Sequence, residues 1–177
     1  MDDAELFREA FRRHAATVVL VTYQDREGLP SGMTATSMCS LSVTPPSLLV
    51  CVHREARANA AITGLGRFGI DLLSVGQKPI ATACSRAGTR KSLREEWLAH
   101  DAPTTRNPRL RDSLAHLECD VATSYPIYSH TVFVGLIRSV WLNPREAPPL
   151  MYHGGVYGQL ESPVERAERF HWEIGAE

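Results

Sequence analysis

The feature that most constrains this chain is a series of strand-like stretches that follow one another with few helices between them. The predicted strands span, in chain order, 17–23, 31–42, 47–53, 67–74, 115–125, 130–142, 150–152 and 156–160. Because strands joined directly in sequence pair antiparallel, this order predicts a largely antiparallel sheet. Closure into a small closed or split β-barrel hides the many strand edges, so the sequence predicts a mainly β fold with flanking helices.

Three helices are expected around this barrel. Residues 2–14 carry apolar side chains at helical spacing, and the acidic residues at their start can cap a helix there. Shorter helices are predicted over 55–63 and 77–85. Residues 86–112 are polar and dotted with prolines, which predicts a long excursion from the barrel.

Length, charge and cysteine spacing narrow the class of protein. The chain of 177 residues fits one domain over 1–177. Its 19 basic and 20 acidic residues give a net charge of -1, which argues against a nucleic acid partner. An acidic start and only short apolar runs near it argue against a membrane partner. Four widely spaced cysteines with no CxxC pair indicate reduced thiols in the cytoplasm.

The glycines of the run 64–69 match GxGxxG, the pattern of a dinucleotide-binding turn. That turn needs a strand before it and a helix after it, because the helix N-terminus binds the pyrophosphate. Here a predicted helix comes first and a predicted strand follows. The pattern therefore indicates the end of a helix and a turn.

A possible metal-ligand spacing occurs at His116 and Cys119. No second pair of ligands stands nearby in the sequence, and Glu118 is interpreted as a solvated charge. We therefore predict no metal site.

Residues 32–42, GMTATSMCSLS, form an unusual extended segment in which six of eleven residues are Ser, Thr or Cys. Small polar side chains and open backbone N–H groups suit hydrogen bonding to a planar ligand rich in heteroatoms, or to its phosphate. An exposed edge strand that uses Thr for its β-propensity explains the same composition equally well.

Several collinear blocks resemble the FMN-binding split-barrel proteins of the flavin reductase-like family. More narrowly, they are similar to the reductase components of two-component flavin-dependent monooxygenases. The blocks are AFRRHAATVVLVT, GLPSGMTATSMCSLSVTPPSLLVCV, RFGIDLLS, HLECDV, SHTVFVGLI and PLMYHGGVYGQL. They cover about residues 6–160 in the family's order and spacing, and leave 161–177 as a charged tail.

The resemblance implies a homodimeric split barrel that binds FMN or FAD near the subunit interface. It implies reduction of that flavin by NADH or NADPH, and diffusion of the reduced flavin to a partner flavin-dependent monooxygenase or halogenase. One alternative is an electron carrier or sensor on the same barrel that keeps its flavin. Another is a split barrel like pyridoxamine phosphate oxidase or its haem-related relatives.

The resemblance also implies roles for particular residues. His130 matches the histidine at the nicotinamide side and is the candidate catalytic residue. The positions that match flavin-contacting residues are Met33, Thr34, Ala35, Thr36, Ser37, Cys51, Val52, Arg57, Asn59, Lys91 and Tyr157. Among them, residues 33–37 are candidates for the flavin N1–C2=O edge and the ribityl chain, and Lys91 for a phosphate.

Three departures from the family pattern change these expectations. Ser129 stands where an acidic residue usually precedes the histidine, so we expect His130 to act as a neutral hydrogen-bonding group. Arg90 and Ser92 stand where an aspartate and a phenylalanine usually flank the family lysine. The positive charge of residues 86–94 is explained equally well by a dinucleotide phosphate and by a solvated face.

Overall fold

The computed structural model describes residues 2–86, 92–100 and 106–160. Its strands are β1 (Ala16–Thr17), β2 (Val19–Gln24), β3 (Pro30–Ala35), β4 (Cys39–Val43), β5 (Pro46–His53), β6 (Arg67–Leu72), β7 (Ala115–Ile127), β8 (His130–Leu142), β9 (Leu150–His153) and β10 (Val156–Gln159). Its α-helices are α1 (Asp3–Arg12), α2 (Arg57–Leu65) and α3 (Lys78–Ser85), and short 3-10 helices span Val75–Gln77 and Glu95–Trp97. The candidate residue Lys91 and the tail 161–177 lie outside the described residues.

The main sheet has seven strands in the order β3-β2-β6-β7-β8-β5-β4, and a second sheet has the order β1-β9-β10. Every pairing among these strands is antiparallel. The main sheet is not closed, because its edge strands β3 and β4 are not paired with each other. This confirms the prediction of a mainly β, antiparallel split barrel with flanking helices.

The prediction of one extended segment over 31–42 is wrong in one respect. The segment is interrupted at 36–38, between β3 and β4. The physical reason is that β3 pairs with β2 whereas β4 pairs with β5, at the opposite edge of the sheet. The chain therefore leaves one edge before it joins the other.

Strand β2 is buried on both faces, which explains the continuous apolar run 18–21 at its start. Val19 and Val21 pack in a cluster with residues of β5, β6 and α2. Leu20, and Val18 just before the strand, pack in a second cluster with residues of α3 and β9. The strand thus separates two apolar clusters, and alternation of polar and apolar residues is not needed there.

Helix α1 begins as predicted, and large apolar side chains on it are exposed. Asp2 accepts a hydrogen bond from the Glu5 N–H at 2.8 Å, and the Glu5 carboxylate accepts one from the Asp2 N–H at 3.0 Å. Leu6, Phe7 and Phe11 are 49%, 61% and 59% exposed. An apolar helix face of this kind normally packs against another surface.

The glycines of the 64–69 run have structural roles. Gly66 ends α2 in the left-handed conformation, with φ of 66°, so the prediction of a helix end and turn is confirmed. Gly69 lies in β6 where a Cβ atom would come within 2.7 Å of the His116 ring. Only a glycine leaves room there for the buried side chain on the neighbouring strand.

His116 lies between two buried carboxylates. Its Nδ1 is 3.1 Å from Asp71 Oδ2 and its Nε2 is 3.2 Å from Glu118 Oε1. Burial alone lowers the pKa of His116, but the hydrogen bonds and charges of the two carboxylates outweigh it and raise the pKa to about 9. The imidazole is therefore a cation at neutral pH that donates to both carboxylates.

The two carboxylates also hold residues 107–113 against the sheet. Glu118 accepts hydrogen bonds from the Asn107 backbone N–H at 3.2 Å and from its side-chain amide at 2.6 Å. Asp71 accepts from the Leu110 N–H at 3.2 Å and from the Ser113 hydroxyl at 2.9 Å. The interpretation of Glu118 as a solvated charge is therefore wrong, because this segment covers it and leaves it 4% exposed.

This cluster predicts how stability changes with pH. The pKa of His116 is raised by folding, from 6.5 to about 9, so its contribution is complete below about pH 6.5 and is lost as pH rises through about 9. We expect the free energy of unfolding, measured with urea, to fall over that interval. His116→Gln leaves two buried carboxylates without a cation, so it should cost about 3–5 kcal/mol near pH 6 and flatten the decline.

Arg138→Gln is the matched control, because Arg138 makes an exposed ion pair with Asp120 at 2.7 Å. We expect it to cost less than about 1 kcal/mol and to leave the pH dependence intact. A His116→Gln protein as stable as the parent at pH 6 would contradict this account of the cluster.

Candidate functional site

The outer face of β5 and β8 carries the candidate catalytic residue. Cys51 and His53 share one face of β5 because they are two residues apart. In the antiparallel register, His53 is opposite His130 and Cys51 is opposite Val132. Cys51 and His130, predicted from separate parts of the chain, therefore lie on one face, with His53 between them.

His130 begins β8, directly after the turn of the β7–β8 hairpin, and it is exposed. Its Nδ1 is 2.9 Å from the Ser129 hydroxyl, and its ring centre is 5.0 Å from that of His53 at an interplanar angle of 81°. A serine hydroxyl can donate or accept, so it orients the imidazole without imposing a charge on it. That His130 acts as a neutral hydrogen-bonding group stays a prediction.

His53 is the residue that sequence reasoning missed. Its Nδ1 accepts a hydrogen bond from the Glu55 N–H at 3.2 Å, which places the proton of the neutral ring on Nε2. Its edge-to-face contact with His130 holds the two rings together. The two-residue spacing from Cys51 on a predicted strand is the signal that could have found it.

Residues 33–35 lie on the edge strand β3, which pairs with β2 on one side only. Met33 and Ala35 point into the core and are each 9% exposed, so they can meet a ligand only through their backbone. The Thr34 hydroxyl donates to the Ala81 carbonyl at 2.7 Å and thereby links β3 to α3. Only Ser31 of this edge forms a bridge elsewhere among the described residues, with Ser92.

Beyond β3, the chain meets β5 through Ser37. The Ser37 hydroxyl donates to the Cys51 carbonyl at 2.9 Å and accepts from the Cys51 N–H at 3.3 Å. Thr36 is exposed, and its hydroxyl makes no hydrogen bond to any described residue. Of the three predicted hydroxyl groups, that of Thr36 is thus the one left for a ligand, while those of Thr34 and Ser37 hold the strands.

The two candidates on α2 point to different sides. Asn59 donates from its side-chain amide to the Val52 carbonyl at 3.2 Å, which holds the end of β5. Val52 itself is fully buried. Arg57, the first residue of the helix, lines a cleft of about 430 Å³ between α2 and the β2–β3 turn.

The remaining candidates lie apart from this face. The Tyr157 hydroxyl hydrogen-bonds to Ser85 at the end of α3, its ring is 5.4 Å from that of Tyr152, and burial raises its pKa. Tyr157 thus joins α3, as Thr34 does. In the excursion, Arg94 forms an exposed ion pair with Glu96 at 3.5 Å. At that position the pair favours a solvated face over a phosphate-binding site as the explanation of the positive charge.

Comparison with known proteins identifies the family. The model of the flavin reductase like domain matches residues 11–161. This chain belongs to that family. The resemblance stated from the sequence is therefore confirmed.

Two of the relatives in the family are named flavin reductases. The chain is 32% identical to the NADH-dependent flavin reductase of Rhodococcus sp. over 87% of this chain and 85% of the relative. It is 35% identical to FMN reductase (NADH) RutF 1 of Methylorubrum extorquens, over 89% of this chain and 77% of the relative.

A solved structure shares the fold. It is BorF, the flavin reductase component of a bacterial two-component tryptophan halogenase, with a TM-score of 0.79 and 29% identity over 90% of this chain and 99% of BorF. Among the described residues of this chain, no helix is both long enough and apolar enough to cross a membrane.

Proposed function

We propose that this chain is an oxidoreductase that uses NADH to reduce FMN or FAD, and that reduced flavin passes to a partner flavin-dependent monooxygenase or halogenase. The observation that carries the proposal is the outer face of β5 and β8, where His130, His53 and Cys51 stand together. The named NADH-dependent and halogenase-associated relatives support the same activity and the same kind of partner.

The groups around this face fit a flavin. A bound flavin supplies the redox chemistry by accepting a hydride from the nicotinamide. Its isoalloxazine edge needs hydrogen-bond donors, which the Thr36 hydroxyl and the backbone of residues 33–35, on the side of β3 without a described partner strand, can provide. Asn59 would act on the site indirectly, because its amide donates to the Val52 carbonyl and holds the end of β5.

Two basic residues complete the proposed site at a distance from the ring. Arg57 is exposed at the start of α2 and supplies positive charge for a phosphate. Lys91 stays a prediction with the same purpose. Tyr157 stays a predicted aromatic contact for a flavin; within this chain it packs against α3.

We propose that His130 positions the nicotinamide. The ring is exposed at the start of β8, and its Nδ1 is occupied by the Ser129 hydroxyl. Its Nε2 is therefore the nitrogen that remains for the ligand, as donor or acceptor according to the tautomer. Orientation of the nicotinamide over the flavin is the contribution such a contact makes to hydride transfer.

The exposure of the site favours turnover over retention of the flavin. Thr36, His53 and His130 are all exposed, and Cys51 is half-buried. A protein that keeps its flavin as an electron carrier normally encloses most of the ligand surface. Within one chain this face is open, which supports exchange of flavin as a substrate.

We further propose a homodimer in the cytoplasm. The uncovered side chains of Leu6, Phe7 and Phe11 on α1 support self-association, since a second copy would remove them from water. All four cysteines are free thiols, which fits a reducing compartment.

The reductase activity has a direct assay. Oxidation of NADH, followed at ~340 nm where reduced nicotinamide absorbs, should proceed steadily and depend on added FMN or FAD. The same assay with NADPH in place of NADH establishes the preference for the electron donor. A protein with tightly held flavin and no rate dependent on free flavin would instead be a carrier, and the proposal would be wrong.

The proposed role of His130 predicts that its replacement affects NADH binding more than flavin binding. His130→Asn should raise the KM for NADH by about tenfold, since it replaces an imidazole contact, and should raise the flavin Kd much less. His53→Phe keeps an aromatic ring beside His130 and should have a smaller effect than His53→Ala. Equal losses of NADH and flavin affinity in His130→Asn would show that the residue does not act on the nicotinamide.

The proposed dimer predicts a mass in solution of about twice 19.6 kDa by light scattering. The double variant Phe7→Ala, Phe11→Ala removes apolar area from α1 and should raise the dimer dissociation constant. Arg8→Gln on the same helix is the control and should leave the mass unchanged. A monomeric parent protein would contradict the dimer without touching the reductase proposal.

A further inference from the structure

The turn between β7 and β8 holds Tyr128 in a backbone conformation that large side chains rarely adopt. Ile127 ends β7 and pairs with His130 at the start of β8, so Tyr128 and Ser129 alone form the turn. Tyr128 has φ of 49° and is the only non-glycine residue with positive φ in the part of the chain that the structure describes. This conformation favours glycine, asparagine or aspartate, because the Cβ of a larger residue crowds the backbone.

Packing within the chain does not explain why a tyrosine occupies this position. Tyr128 is 94% exposed. A side chain this exposed removes almost no apolar surface from water, so it does not offset the strain of the backbone. A strained residue that does not stabilise its own fold points to a function outside the fold.

Arg54, the residue that follows β5, fastens this turn. The Arg54 N–H donates to the Ser129 carbonyl at 2.8 Å, and its guanidinium Nη1 donates to the Tyr128 carbonyl at the longer distance of 3.5 Å. Both carbonyls of the turn are thereby joined to the end of β5. The strained conformation is therefore maintained by its surroundings, and Tyr128 is held at a defined place.

The turn lies directly beside His130. The Ser129 hydroxyl contacts the Nδ1 of His130, and His53 lies opposite His130 on β5. The next pair on this face, Cys51 and Val132, is two residues further along the strands, a step of about 7 Å. A ligand at His130 is therefore adjacent to the turn, whereas a ligand at Cys51 lies one step away from it.

The surface beside His130 is apolar on its β7 side. Ile127 is opposite His130 and Tyr125 is opposite Val132, so both share the face of the two histidines. They are 49% and 54% exposed. A planar ring bound at His130 would lie between imidazole groups and apolar side chains, within reach of an aromatic side chain from the turn.

We propose that Tyr128 packs its ring against the nicotinamide bound at His130, and that the strain of the turn is retained because it places an aromatic ring there. The contact rests on the proposed function, since NADH is the ligand proposed at His130. A tyrosine face packs well on a planar ring and attracts the positive charge that the nicotinamide of NAD+ carries. Tyr128 is thus a binding residue for the nicotinamide ring alone, and the rest of the dinucleotide does not depend on it.

Calorimetric titration of the full chain with NAD+ in excess FMN tests the contact without turnover, because NAD+ and oxidised flavin do not react with each other. Tyr128→Gly should raise the Kd for NAD+ about fivefold, since the ring contact is lost. Tyr128→Phe keeps the ring and should stay within about twofold of the parent. ADP-ribose, which lacks the nicotinamide, is the control ligand and should bind the parent and both variants equally.

Thermal unfolding separates the effect of the ring from that of the backbone. Tyr128→Gly relieves the positive φ and should raise the Tm by about 2 °C. Tyr128→Leu keeps a strained, bulky residue without an aromatic ring, so it should leave the Tm unchanged and raise the Kd for NAD+ as Tyr128→Gly does. A variant that gains stability while it binds NAD+ more weakly would show that the strain serves the ligand.

Equal NAD+ binding by the parent and Tyr128→Gly, or no NAD+ binding by the parent, would overturn the proposal. A lower mass of Tyr128→Gly by light scattering would also overturn it, because the ring would then serve a contact between subunits. The reductase proposal fails separately. A protein that binds NAD+ through Tyr128 but does not oxidise NADH with added flavin refutes only the reductase, and a reductase in which Tyr128→Gly binds NAD+ normally refutes only the role of Tyr128.

Discussion

Residues 36–38 connect the two edges of the seven-stranded sheet, since β3 ends one edge and β4 begins the other. The four Cα–Cα steps from Ala35 to Cys39 span at most about 15 Å. The two edges must therefore approach each other, and a sheet of seven strands can do so only by bending into a barrel. The barrel stays split because β3 and β4 do not pair, and the hydrogen bonds between Ser37 and Cys51 hold the connection to β5. The edge strand β3 and the outer face of β5 thus meet at this connection, and the proposed flavin site lies there.

The charged groups of the protein have two roles: buried ones stabilise the fold, and exposed ones are accessible to a ligand. His116, Asp71 and Glu118 are removed from water and satisfy one another, so their role is to fasten residues 107–113 to the sheet. Such a cluster adds no charge at the surface. Arg57 and His130 are exposed instead, where a ligand can reach them. A net charge near zero is therefore compatible with binding phosphates, because only a few local cations are needed.

Local sequence predicted the elements whose structure depends on local interactions. The bounds of β8, Arg67 as the start of β6 and the capped start of α1 agree with the pattern, because β-branched runs and capping residues act over a few positions. The interruption after β3 was not predictable from composition, since it depends on which distant strand each half pairs with. Glu118 was misread for the same reason: residues 107–113 cover it, and nothing in the strand's own sequence indicates that cover.

For the candidate site, sequence motifs likewise predicted which residues matter but not where each side chain points. Collinear motifs identified the family and brought forward His130 and Cys51, which the register then places on one face. The motifs did not indicate that Asn59 would bind the Val52 carbonyl, or that Thr34 would bind Ala81, because side-chain direction depends on the packing of α2 and α3.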